Sequence, residues 1–236
     1  MKVPVIKGVI DRRILVNFTV APGAIQNILP APFRPKLYKG HAIAGICLIR
    51  LKHIRPKGLP GFVGISSENG AHRIAVTWEE QGITREGVYI PRRDTNSRFN
   101  AFAGGRFFPG KHYHARFDVR ESGVDYHVAF NSEDETFISM DGSLADQLNE
   151  DSVFENLAAA SDFFEAGSAG FSPGGGGLDG LQLQVKEWKV EPLAVTAVRS
   201  SFFENREIFP EGSVRFDNAL LMREIAHEWR SMRAPC

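Results

Sequence analysis

Residues 89–100 read YIPRRDTNSRFN, where the strand-like run GVYI ends at Pro91 and Arg92, Arg93, Asp94 and Arg98 follow at once. A guanidinium is a planar fork that suits a carboxylate or phosphate. Three of them at a strand end form either a surface turn with local ion pairs or the wall of a site for an anionic molecule. Glu68, in GISSENGAHRIAV just ahead of a strand, is a candidate acid or base. A carboxylate facing a closed interior would be desolvated, its pKa would rise, and it could trade protons near neutrality. Lys111, in GGRFFPGKHYH, could attack a carbonyl and form a Schiff base if an apolar pocket and the nearby Arg106 lowered its pKa. An ordinary exposed turn is the competing reading for each. His112 and His114 are spaced to point the same way on a strand, and with Glu133 across a hairpin they could make a two-histidine, one-carboxylate metal site.

Short apolar runs must position these groups: 14–18, 42–51, 73–78, 86–90, 112–119, 124–130, 181–185 and 193–198. Pro, Gly and Asn turns separate them, the pattern of a mainly β barrel or sandwich. A turn at Ser122-Gly123 would pair Val119 with Tyr126, Phe117 with Val128 and Ala115 with Phe130, one apolar face and one polar. That register sets Asp118 against His127 and His112 against Glu133. A short helix is expected in 22–30, one or two in 143–166, and a C-terminal helix from Asp217, with Leu221, Ile225 and Trp229 at i, i+4 and i+8. The Gly-rich stretch 167–180 reads as a mobile surface loop. Its GxGxxG spacing has no strand before it and no helix after it, so no nucleotide site and no cofactor is expected.

The 236 residues suit one domain, 1–236, with 28 basic and 28 acidic side chains and 43% apolar content. Zero net charge gives no reason to expect a nucleic acid or an acidic membrane as partner. Cys47 and Cys236 cannot make a disulfide framework or a Cys-based zinc site. The N-terminus lacks a continuous apolar signal core, and no run approaches the roughly 18–20 apolar residues of a spanning helix. A cytoplasmic location is expected.

The segments RILVNF…ILPAPFRPKL, AIAGICLIRL, SSENGAHRIAV, EGVYIPRRDTNSRFNAFAGGRFFPG and ALLMREIAHEW resemble a bacterial family of uncharacterised proteins in the acetoacetate decarboxylase-like superfamily. The resemblance covers nearly the whole chain. It implies a β-barrel-like core with a few peripheral helices, and a homo-oligomer. In acetoacetate decarboxylase itself a Schiff-base Lys is followed directly by a second Lys. Here Gly110 falls at the first position and Lys111 at the second. The resemblance matches Glu68 to the pocket carboxylate and Arg12, loosely, to an N-terminal Arg. It implies an enzyme acting on a small carboxylate or keto acid, a decarboxylase-like lyase or a related acid–base catalyst. Glu68 and Lys111 would be catalytic, and Arg12, Arg92, Arg93, Arg98 and Arg106 would hold the anion. The alternatives are a ligand-binding barrel without chemistry and the His112/His114/Glu133 metal enzyme.

Overall fold

The computed structural model describes residues 4–103, 110–175 and 177–235. Its strands in chain order are β1 (Ile6–Val20), β2 (Arg34–Pro35), β3 (Leu37–Tyr38), β4 (His41–Pro56), β5 (Ile65–Glu80), β6 (Ile83–Thr95) and β7 (His112–Ser122). They continue as β8 (Asp125–Ser132), β9 (Phe137–Leu144), β10 (Ala169–Gly174), β11 (Gly177–Val185), β12 (Glu191–Ser200) and β13 (Val214–Met232). Short helices α1 (Pro22–Gln26), α2 (Arg98–Ala103), α3 (Leu157–Glu165) and α4 (Ser201–Glu204) sit between them. Seven of the eight apolar runs lie wholly within strands and the eighth, 124–130, begins one residue before β8, so the mainly β expectation holds. Among the described residues no helix is long and apolar enough to cross a membrane.

The strands form one sheet that closes twice. Five long strands, in the order β13-β1-β4-β5-β6, are common to both closures. One closure runs through β7, β8, β9 and β12, the other through β10 and β11. The shared strands therefore have a core on each face, and their sequences are runs of apolar residues rather than alternations. In β1, Ile14 and Val16 enter one core while Leu15 enters the other. The first core also takes Phe130 and Met140. The second takes Cys47, Leu220 and Met222 with Phe163 and Phe164 of α3. Burying an isoleucine or leucine fully, as at Ile14, Leu48 and Leu220, contributes ~1.5–3 kcal/mol each.

Three expectations are corrected. The C-terminal helix is instead strand β13, paired with β1 along nearly its whole length. Its run Ala219–Met222 is buried on both faces, alternately in the two cores. The helical spacing of Leu221, Ile225 and Trp229 marks no single face: Leu221 enters the first core and Ile225 and Trp229 the second, because the face switches between Met222 and Ile225, where Glu224 has φ +55°. Asp217, expected as an N-cap, accepts from Ser152 Oγ and the Val153 N–H at 2.8 Å each. The Gly-rich stretch is mostly hairpin: β10 and β11 pair from Ala169↔Gln182 to Gly174↔Gly177, and β11 pairs with β13 to close the second ring. The β7–β8 register is two residues off the expected one, with Ser122↔Asp125, Val119↔Val128 and Phe117↔Phe130. A shift of two keeps every side chain on its face. The helical expectation in 143–166 resolves to α3 alone, capped by Asn156 accepting from the Ala159 N–H at 2.9 Å.

Candidate functional site

The second ring encloses a cavity of about 140 Å³ walled by β1, β4, β5, β6, β10, β11 and β13. Most of its wall is apolar, including Ile49, Leu51, Val88, Ile90, Leu183 and Trp229. Three guanidiniums, Arg13, Arg73 and Arg93, reach it, and so do Cys47, His112, Asn69, Asn100 and Asp94, whose carboxylate is bound by Arg92.

Strand geometry selects these side chains. In β5 the residues Ser67, Asn69, Ala71 and Arg73 face the cavity at period two. In β6 the faces switch. His72 pairs with Arg92, but Ile74 pairs with Tyr89, so Ile90 and Pro91 together oppose Arg73. This is a β-bulge at a proline, a residue that cannot donate to the ladder. It follows Val88 and Ile90 in the cavity wall with Arg93 rather than Arg92. A second bulge, between Ile10 and Arg12 where β1 pairs with β4, follows Ile10 with Arg13 rather than Arg12.

The arginines are held by weak or neutral partners. Arg13 donates to Cys47 Sγ at 3.6 Å and Met222 Sδ at 4.0 Å, and its guanidinium lies 5.7 Å from the Trp188 ring. Arg73, 3% exposed, donates to Asn17 Oδ1 and lies 4.8 Å from the Phe164 ring. Arg93 donates to Ser172 Oγ at 3.2 Å. The Nε of each is buried without a partner, and no carboxylate lies within ion-pair distance of any of them among the described residues. Burial pushes the Arg93 pKa down to about 10 and that of Arg73 down as well. Unpaired buried charge is costly, by several kcal/mol per ion in proteins. An anion in the cavity would relieve that cost.

Cys47 sits among these cations. Burial pushes its thiol pKa up, but Arg13 and Arg73 outweigh burial and hold it below the ordinary thiol value. His112 is driven the other way: burial, aided by Arg93, lowers its pKa to about 4. Its Nδ1–H donates to the Gly110 carbonyl at 3.1 Å, which leaves Nε2 as the lone-pair nitrogen of a neutral imidazole.

The residues singled out from the sequence are dispersed. Arg93 is in the cavity wall. Arg92 is bound by Asp94 at 2.7 Å and Asp134 at 2.6 Å, and it lies 4.0 Å from the Tyr113 ring. Arg98 is exposed at the start of α2. Arg106 lies outside the described residues. Lys111 is exposed, with Nζ 4.5 Å from the Tyr113 ring. Glu68 is on the opposite face of β5 from the cavity-lining Ser67 and Asn69. It accepts from Arg12 at 2.6 Å and from Arg50 at 2.5 Å. Glu121 joins both arginines at 2.5 and 2.9 Å. Arg12 is thus a 2%-exposed member of an ion cluster. His114 Nδ1 lies 3.3 Å from Glu133, whereas His112 turns to Gly110, and no group of three metal-ligating side chains forms among the described residues. Gly110, where the resemblance puts the Schiff-base Lys, has φ +80°, and a Cβ there would lie 2.7 Å from Ser172 Cβ and 3.6 Å from Arg93 Nε. That position borders the cavity wall but carries no side chain.

Sequence reasoning missed Arg13, Arg73 and Cys47. Their signal was position: a charge inside RIAVTW and a thiol inside AIAGICLI, in strands that are buried on both faces.

The architecture is that of the acetoacetate decarboxylase-like proteins. Acetoacetate decarboxylase from Legionella pneumophila subsp. pneumophila str. Philadelphia 1 superposes with TM-score 0.63 at 10% identity, over 97% of this chain and 87% of that one. An acetoacetate decarboxylase-like enzyme from Sphingomonas wittichii RW1 gives 0.62 at 10% identity, over 100% and 95%. The enduracididine biosynthesis enzyme MppR complexed with pyruvate gives 0.60 at 8% identity, over 98% and 89%. At such identities the likeness establishes the fold alone. The model of DUF2071, an uncharacterized conserved protein family, matches residues 10–218, and the chain belongs to that family. No curated protein matches it.

Proposed function

We propose that the chain binds a small 2-oxo carboxylate in the Arg13/Arg73/Arg93 cavity and acts on it by acid–base or lyase chemistry. The observation that carries this reading is three guanidiniums with no carboxylate at ion-pair distance among the described residues, in a mostly apolar cavity of about 140 Å³ whose lining carboxylate, Asp94, is bound by Arg92. A cavity of roughly 150 Å³ holds benzene, so the ligand is a carboxylate on a short apolar body. The arginines would take the carboxylate by charge-assisted hydrogen bonds. His112, neutral at physiological pH, would be the proton acceptor beside the bound carbonyl compound. A pyruvate-bound neighbour of the same fold supports the choice of 2-oxo acids.

Gly110 favours a second reading, a binding protein without turnover, because it removes the amine from the Schiff-base position. The test is thermal stabilisation of the full chain by pyruvate, 2-oxobutyrate and acetoacetate beside their neutral amides or ketones, with product analysis of whatever binds. Acids that stabilise where neutral analogues do not would support the reading. Equal stabilisation by both would sink it. Binding without product selects the second reading.

A further inference from the structure

Among the described residues the cavity wall holds one thiol. Cys47, on β4 opposite Ala71 of β5, is 4% exposed and lies in the cavity wall. Arg13 Nη2 approaches its sulfur at 3.6 Å. Arg73 beside it is 3% exposed and carries an unpartnered Nε in the same wall. A thiol among guanidiniums is biased toward thiolate, the form that attacks carbon. Gly110, beside Arg93 of the cavity wall, is where the resemblance to acetoacetate decarboxylase puts the Schiff-base amine.

We propose that Cys47 is the nucleophile of this cavity, its sulfur adding reversibly to the keto carbon of a 2-oxo acid whose carboxylate the arginines hold. The step rests on the anion-binding reading above. The Sγ–C bond forms as the C=O π pair moves onto oxygen. That oxygen takes up the proton the thiol has lost, giving a hemithioketal whose one charge is the carboxylate, with no oxidant or second reactant. The guanidiniums face both the carboxylate and the developing oxyanion, where fixed donors stabilise charge as it forms.

The test uses the full chain with Cys236→Ser, which leaves Cys47 as its one thiol. Intact mass is measured after alkylation by iodoacetate, itself a small carboxylate, and by uncharged iodoacetamide. Iodoacetate is expected to react faster by about tenfold, the ratio that one pKa unit of charge interaction represents. Pyruvate should protect, and Arg93→Gln should bring the two rates together while circular dichroism stays unchanged. With pyruvate labelled with carbon-13 at the keto carbon, a tetrahedral-carbon resonance should appear, and Cys47→Ser should abolish it. If pyruvate stabilises the protein but neither reagent labels Cys47 and no tetrahedral carbon forms, the nucleophile is overturned and the anion site stands. Equal labelling by both reagents, without protection by pyruvate, overturns the anion site and the proposal together.

Discussion

Replacing Glu68 by Gln separates a structural carboxylate from a catalytic one. Glu68 takes two charge-assisted hydrogen bonds, from Arg12 at 2.6 Å and Arg50 at 2.5 Å, and its side chain is 12% exposed. Bonds to charged groups contribute ~1.5–3 kcal/mol each. Glutamine keeps one acceptor oxygen, and Glu121 still binds both arginines. The loss is therefore near one such bond plus part of the desolvation of Arg12, about 2–3 kcal/mol. At a urea m-value of roughly 3 kcal/mol/M, the denaturation midpoint falls by ~1 M. Affinity for 2-oxo acids should stay within about twofold, since Glu68 is not in the cavity wall. Urea unfolding and ligand titration of the same preparation measure both. Unchanged stability with lost binding or turnover would refute the assignment and return Glu68 to the role of acid or base.

Arg93→Gln should weaken 2-oxo acid binding by ~10–100-fold, the worth of a charge-assisted bond, while Arg98→Gln, at an exposed position, should leave calorimetric affinity unchanged. Gly110→Ala should cost about 1–3 kcal/mol, because φ is +80° and the new Cβ would press on Ser172 at 2.7 Å; urea unfolding would show it. Stability should fall on acidification from pH 7 to pH 5. Burial lowers the pKa of His72 to about 3 and of His112 and His227 to about 4, each below the unfolded value. Between the two values the unfolded chain binds more protons, so stability is full above the unfolded pKa and lost as pH drops below it. Each histidine contributes on the order of 1–2 kcal/mol over that interval, and a flat profile of unfolding free energy would contradict their burial as neutral rings.

The strands were legible because short apolar runs between turn residues have few other uses. The faces were harder. Strands shared by two cores lose the alternation that marks an inside, so in β13 the helical spacing of Leu221, Ile225 and Trp229 stood out although these residues divide between the two cores. The β7–β8 hairpin kept its faces because apolar pairs match at either of two registers. The site was legible at Arg93 and, in a different role, at His112. Which of two adjacent arginines enters the cavity depends on a bulge at Ile90–Pro91, a property of pairing with β5 rather than of the local sequence. Arg73 and Cys47 gave no motif, because they lie inside runs that otherwise read as core. Glu68 stood out as a charge just ahead of a strand and Arg12 only through the resemblance, and the structure spends them on each other.

The most direct measurement is a crystal structure of the full chain with 2-oxobutyrate. The carboxylate is expected among Arg13, Arg73 and Arg93, with the keto carbon turned toward Cys47 and His112. A ligand bound instead at the Glu68–Arg12–Arg50 cluster, or in the cavity with its carboxylate away from all three arginines, would contradict that placement.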